Sequence, residues 1–237
     1  MAVTSRFLID LRVAPRTLEV ACQLVASVAL CCTSQPIPLL LIDNHLPYPK
    51  AILQVFGILQ HRRRQGKRGR KRKPTLKAPP ELLVGVVKKV RDATGNLLDV
   101  NTHALFGTKK VIETRIQALG IGEKINTSHI ERLNGTLRGQ QARLVRRTQA
   151  GTRLIRMLCY SLALWRDLYN WISIHSTLGC TPAMALGLAK KAWTVLEYVR
   201  YPVHLSDLQR ELWEEQRNNV LKSPLDDFER SKALPTS

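Results

Sequence analysis

Ile37-Pro-Leu-Leu-Leu-Ile-Asp43 decides the fold class of this chain. It is a short apolar run bounded by Pro36 and by the turn-rich Asn44-His-Leu-Pro-Tyr-Pro49, the profile of a strand buried on both faces. Upstream, Pro15-Arg-Thr-Leu-Glu19 starts a helix that can extend to about Leu30, and Phe7-Leu-Ile-Asp-Leu-Arg-Val13 reads as a further strand. Strand, helix and buried strand together specify an α/β core. Downstream, Lys50 to Gln60 places Ile52, Leu53, Val55, Phe56 and Leu59 at helical spacing.

The composition then changes abruptly. From His61 to Lys77 the sequence is HRRRQGKRGRKRKPTLK, and no Asp or Glu occurs between Asn44 and Pro80 to neutralise it. A solvated, flexible loop is expected over 61–80. It is either a generic basic linker or an arm in which Arg62, Arg63, Arg64, Lys67, Arg68, Arg70, Lys71, Arg72 and Lys73 follow phosphates. No aromatic residue interrupts the run, so base stacking is not indicated. Leu82 to Arg91 and Asn96 to Phe106 flank the turn Asp92-Ala-Thr-Gly95 as a β-hairpin. A short helix follows over Lys109 to Leu119, and from Thr127 the pattern is strongly helical.

The whole chain has 37 Lys and Arg against 18 Asp and Glu in 237 residues, a formal charge of +19. Such an excess destabilises a compact chain unless a polyanion is near, so nucleic acid is the first partner to expect. An anionic membrane is the rival, but the N-terminus has no secretory pattern, and Leu18 to Cys32 is too short and too often interrupted to span a bilayer. Five scattered cysteines without a Cys-x-x-Cys pair support neither a zinc site nor a disulfide framework; they read as reduced core residues of a cytoplasmic protein.

The chemistry concentrates in Asn126-Thr-Ser-His-Ile-Glu-Arg-Leu-Asn134. Ser128 and Glu131 fit a helix capping box, the bland reading of Glu131. On the same helix Glu131, Asn134 and Arg138 fall on one face, and Arg132, Arg143, Arg146 and Arg147 extend the positive surface. A carboxylate kept among arginines suits metal-dependent phosphoryl transfer, in which carboxylates hold two divalent ions, Mg²⁺ or Mn²⁺. Asp43, at the end of its strand, is the expected partner of Glu131, or else an ordinary turn-initiating Asp. His129 and His175 are isolated and are assigned no chemistry.

These residues resemble a known family. NTSHIERLNGTLR, LVRRT and YNWISIHSTLG-CTPAMALG, within Ile125 to Gly187, resemble the end of the catalytic domain of DDE-type transposases of bacterial insertion sequences, and Tyr169, Asn170, His175, Ser176, Thr181, Pro182, Ala183 and Met184 follow the family's order. Ile42-Asp-Asn-His-Leu-Pro-Tyr48 with Phe56-Gly57 resembles its second-acid segment, except that Asn44 stands where Gly is usual. The resemblance covers about Arg6 to Val203. It implies an RNase H-like fold, Asp43 and Glu131 as catalytic and metal-holding acids, a two-metal site, DNA as partner, and oligomeric action. Strand cleavage and strand transfer in transposition is the implied activity.

The family's first acid has no counterpart. Met1-Ala-Val-Thr4 falls where it is expected, so the chain reads as beginning just after it, with Asp10 an ordinary strand residue; the alternative is a shifted triad of Asp10, Asp43 and Glu131. A chain with two of three acids need not be active, and a non-catalytic nucleic-acid binder or an RNA-scaffold protein stays open as the alternative.

The expected division is 1–60 for the first part of an RNase H-like core, 61–80 for the basic loop, and 81–122 for a hairpin insertion with a short helix. The Glu131 helix and core helices follow over 123–190, then a C-terminal helix and tail over 191–237. Trp165, Trp171 and Trp193 with Leu158, Leu162, Leu164 and Leu168 read as core anchors, Leu205 to Gln216 as an amphipathic helix, and the residues from Lys222 as disordered.

Overall fold

The computed structural model describes residues 1–32, 37–60, 74–145, 151–152 and 154–201. The chain divides into two compact units, Met1–Trp193 and Thr194–Ser237. In the first, helix α1 (Leu18–Leu30) opens on Thr17, whose hydroxyl accepts from the Val20 amide. Strand β1 (Leu40–Asp43) leads into α2 (Pro47–Phe56), which starts on a proline that needs no intrahelical partner for its nitrogen. The helix stops at Gly57, where a Cβ would lie 2.2 Å from the Leu53 carbonyl oxygen, so only glycine fits this exit.

Strands β2 (Ile58–Gln60) and β3 (Thr75–Lys77) pair antiparallel. They bring together the two ends of the basic run, whose residues 61–73 lie outside the described residues. Strands β4 (Val84–Arg91) and β5 (Leu97–Phe106) form the expected hairpin. Helices α3 (Lys109–Ala118), α4 (Ser128–Gln140), α5 (Ile155–Trp171) and the short α6 (Pro182–Ala185) complete this unit. In the second unit, α7 (Val195–Arg200) starts on a capping box between Thr194 and Glu197.

The main sheet is mixed, in the order β1-β4-β5, with β1 parallel and β5 antiparallel to β4. Its register explains why Leu40–Ile42 is apolar throughout. Leu40 and Ile42 pair with Val84 and Val86, and Leu40, Ile42 and Val84 pack with Ala21, Val25, Ala51 and Ile52 of α1 and α2. Leu41 turns to the opposite face, with Val87, Ile112 and Ile116 of α3 and with Ile125. A sheet covered on both sides needs near-continuous apolar strands. A third cluster joins Leu8 to Leu133 and Leu137 of α4 and to Leu162, Trp165 and Tyr169 of α5.

Several expectations need correction. Phe7–Val13 is not a strand: the Leu8 amide and carbonyl bond the side-chain amide of Asn170 at 2.9 and 3.0 Å, so no ladder forms there. The helix expected over Lys50 to Gln60 begins at Pro47 and gives way to β2. The hairpin of 81–122 is not an insertion, because β4 is the central strand of the sheet. Thr75–Lys77, placed in the basic loop, is a strand.

None of the five free cysteines is fully buried: Cys31 is exposed, the others are half-buried, and of these Cys22 packs against the core of α1 and α2. Leu164 is 52% exposed and anchors nothing, whereas Trp165 is buried and Trp171 packs on Trp193. The helix expected over Leu205 to Gln216 and the tail from Lys222 lie outside the described residues. No described helix is long and apolar enough to cross a membrane.

Candidate active site

A cavity of about 1300 Å³ in the first unit has Asp43, Glu131, Asn134 and Arg138 in its wall, with Lys89 and Arg16. Asp43 enters from the end of β1. Its Cα partner on β4 is Val87, and neighbours in a parallel ladder point to the same face, as do residues two apart on one strand. Asp43 and Lys89 therefore share the sheet face on which Ile125 packs. Beside Asp43, the Tyr48 hydroxyl is pushed above its ordinary pKa, first by burial and then by the Asp43 charge, with Arg16 pulling the other way.

Glu131 enters from the first turn of α4. Its Oε2 accepts from Lys89 Nζ at 2.6 Å and its Oε1 accepts from the Thr127 hydroxyl. These two bonds, and then the charges of Lys89 and Arg91, hold its carboxyl below the usual range against a smaller penalty from burial. The capping-box reading fails in detail. Thr127, not Ser128, is the N-cap, it makes no side-chain bond to the helix amides, and Glu131 spends its oxygens on side chains. The helical spacing of Glu131, Asn134 and Arg138 does bring all three to the cavity.

The remaining basic residues go elsewhere. Arg132 is exposed and does not line the cavity. Arg143 donates back to the Met157 carbonyl at 3.4 Å. Arg146, Arg147 and the residues Arg62, Arg63, Arg64, Lys67, Arg68, Arg70, Lys71, Arg72 and Lys73 lie outside the described residues. Sequence reasoning missed Lys89, Arg16 and Arg115, all in the cavity wall. Lys89 is marked by lying two residues beyond Val87, the partner of Asp43, and so only once β4 is known to lie beside β1.

Asp10 also reaches the cavity wall, yet its oxygens are engaged. The Leu11 amide donates to Oδ1 at 2.8 Å, and Arg12 Nε and the Ser27 hydroxyl donate to Oδ2 at 2.7 Å each. Burial works to raise its pKa, but the bonds from Ser27 and Arg12 and the Arg12 charge outweigh that and lower it. Asp10 thereby pins the N-terminal segment to α1.

Among the described residues no group of three or more His, Cys, Asp or Glu side chains is close enough to share a metal ion. Asp43 and Glu131 supply two carboxylates at one cavity, a donor set that suits Mg²⁺ in kind, since that ion takes one or two carboxylates and completes its shell with water and substrate oxygens. Lys89 Nζ holds one of the two Glu131 oxygens that such an ion would share. No family model, no curated protein and no solved structure matches this chain.

Proposed function

We propose that this chain is catalytic-domain sequence of a DDE-type transposase of an insertion sequence, with an RNase H-like core that cleaves and transfers DNA strands. The supporting observation is that Asp43, from a strand end, and Glu131, from a helix remote in sequence, reach one cavity together with Asn134, Arg138 and Lys89. In this reading Asp43 and Glu131 hold divalent cations, Mg²⁺ or Mn²⁺. Such ions supply activation of a water or 3′-hydroxyl and stabilisation of the leaving oxygen. Arg138 and Lys89 bind the phosphates flanking the scissile one, and Asn134 orients the backbone between them.

The test is nicking of supercoiled plasmid and joining of labelled DNA ends by the purified protein with Mg²⁺ or Mn²⁺. Activity lost in both Asp43→Asn and Glu131→Gln, with DNA binding retained, is the expected result. Cleavage that survives Glu131→Gln overturns the reading.

A second reading has its own observation. Both Glu131 oxygens are engaged, one by Lys89 and one by Thr127, as in a structural ion pair. A non-catalytic nucleic-acid binder, or a relic of such an enzyme, fits that state. Salt-dependent DNA binding without metal-dependent cleavage would favour it.

A further inference from the structure

Helix α5 is apolar on two sides. Leu158, Leu162, Trp165 and Tyr169 pack into the cluster with Leu8, Leu133 and Leu137. Met157, Tyr160 and Leu164 point the other way and are 46%, 56% and 52% exposed. Their spacing of three and then four residues is that of a seam along which a second helix packs. A single exposed apolar side chain is ordinary, but a row of them along one helix marks a contact surface.

The charges around this row say what fits it. Arg156 stands exposed at its start. Asp167 stands at its end, where Oδ1 accepts from Arg166 Nε at 2.9 Å. By the helical period, Arg156, Ala163 and Asp167 run along the same border of the row. In an antiparallel helix pair with its two-fold axis beside Tyr160, like borders face each other and the ends exchange. Met157 then meets Leu164 of the second copy, and Arg156 comes level with the second copy's Asp167. A parallel pair would set Arg156 level with Arg156. The net charge of +19 drives copies of this chain apart, so a self-contact needs a locally balanced surface. Within Ile155–Trp171 the only charged residues are Arg156, Arg166 and Asp167.

We propose that the Met157, Tyr160 and Leu164 face of α5 is an interface with a second copy of this chain, the two helices packed antiparallel about a two-fold axis. Such an interface is isologous, so each contact occurs twice and the assembly closes as a dimer. About three turns of helix bury less than the roughly 1,200 Å² of a standard stable complex, so the dimer is a weak, micromolar one. The contact needs neither metal nor nucleic acid and stands whether or not the chain cuts DNA.

The test is sedimentation velocity of the full chain, freed of nucleic acid, from about 1 to about 100 μM at physiological ionic strength. A reversible monomer–dimer equilibrium is expected. Leu164→Glu sets a carboxylate against Met157 of the second copy and should weaken the dimer about ten-fold or more. Because Leu164 is exposed in the single chain, its variant should keep the parent's circular dichroism and melting temperature. Arg156→Glu should weaken the dimer about three-fold, and exchanging the charges with Arg156→Glu and Asp167→Arg together should restore it. The proposal is overturned if the parent stays monomeric over the whole range, or if Leu164→Glu dimerises as the parent does. A folded charge-exchanged chain that stays as weak as Arg156→Glu overturns it as well. If Asp167→Arg fails to fold, Leu164→Glu decides alone.

Discussion

The side-chain amide of Asn170 accepts from the Leu8 N–H at 2.9 Å and donates to the Leu8 carbonyl at 3.0 Å, across 162 positions of sequence. One side chain thus takes the place of a neighbouring strand for this stretch of backbone. Both residues are buried, at 2% exposure each. Asn170→Ala leaves a buried donor and a buried acceptor unmet, at about 1–3 kcal/mol for each group. The expected result is a fall of about 2–6 kcal/mol in unfolding free energy, seen as a lower urea midpoint with an unchanged m-value. A loss below about 0.5 kcal/mol would show that the clamp does not hold the segment.

Asp10 ties the same segment to α1, and its contribution depends on pH. A carboxyl whose pKa falls on folding stabilises only while ionised. The contribution is therefore complete above its ordinary value of 3.8 and is lost as pH drops through the lower folded value. Asp10→Asn is expected to lose about 1–2 kcal/mol at pH 7, since the Arg12 and Ser27 bonds are charge-assisted. Urea melts from pH 7 downward should show parent and variant converging below that value. A gap that stays constant with pH would mean that shape, not charge, does the tying.

Much of this arrangement is legible in the sequence, and the gaps have physical causes. Helices α1 and α3 and the β4–β5 hairpin announce themselves through local signals: Thr17, Thr108 and the Asp92-to-Gly95 turn. The Glu131, Asn134 and Arg138 face follows from helical period alone. What stayed hidden is non-local. Nothing in Phe7–Val13 says that its partner is the Asn170 side chain, and nothing in Val84–Arg91 says that it pairs parallel with β1. Lys89 was missed for that second reason. The buried Asn170 and Thr181 could be noticed as a motif, but not as structural staples without their contacts to Leu8 and Met184.

Gly85 controls how closely the approach to α4 lies on the sheet. A Cβ there would sit 2.9 Å from Ile125 Cγ2 and 3.0 Å from Leu41 Cδ2, in a wall that has little room to shift. Ile125 lies just before Thr127, which bonds Glu131, so displacement at Gly85 reaches the site. Gly85→Ala is expected to cost about 1–3 kcal/mol. Ile125→Ala alone should also destabilise, yet combined with Gly85→Ala it should cost less than the two losses added. A double-mutant cycle measures this coupling, and strict additivity would remove the steric explanation.

Lys89 is expected to act on metal and DNA in opposite directions. Its ammonium sits on Glu131 at 2.6 Å, with the two side chains 33% and 44% exposed, so the pair is worth less than about 1 kcal/mol. A divalent cation at Glu131 competes with it for Oε2. Lys89→Met should therefore tighten Mn²⁺ binding, read by titration calorimetry or paramagnetic resonance, by about two- to five-fold, the whole worth of the pair. Glu131→Gln should abolish that part of the binding. Facing the cavity, Lys89 is also a phosphate contact in the proposed complex. Its loss should weaken duplex binding and lower the salt slope by about one. If Lys89→Met leaves both readouts unchanged, the 2.6 Å pair is a surface bond that neither ion nor phosphate meets. If metal binding weakens instead, Lys89 is orienting Glu131 for the ion and not shielding it.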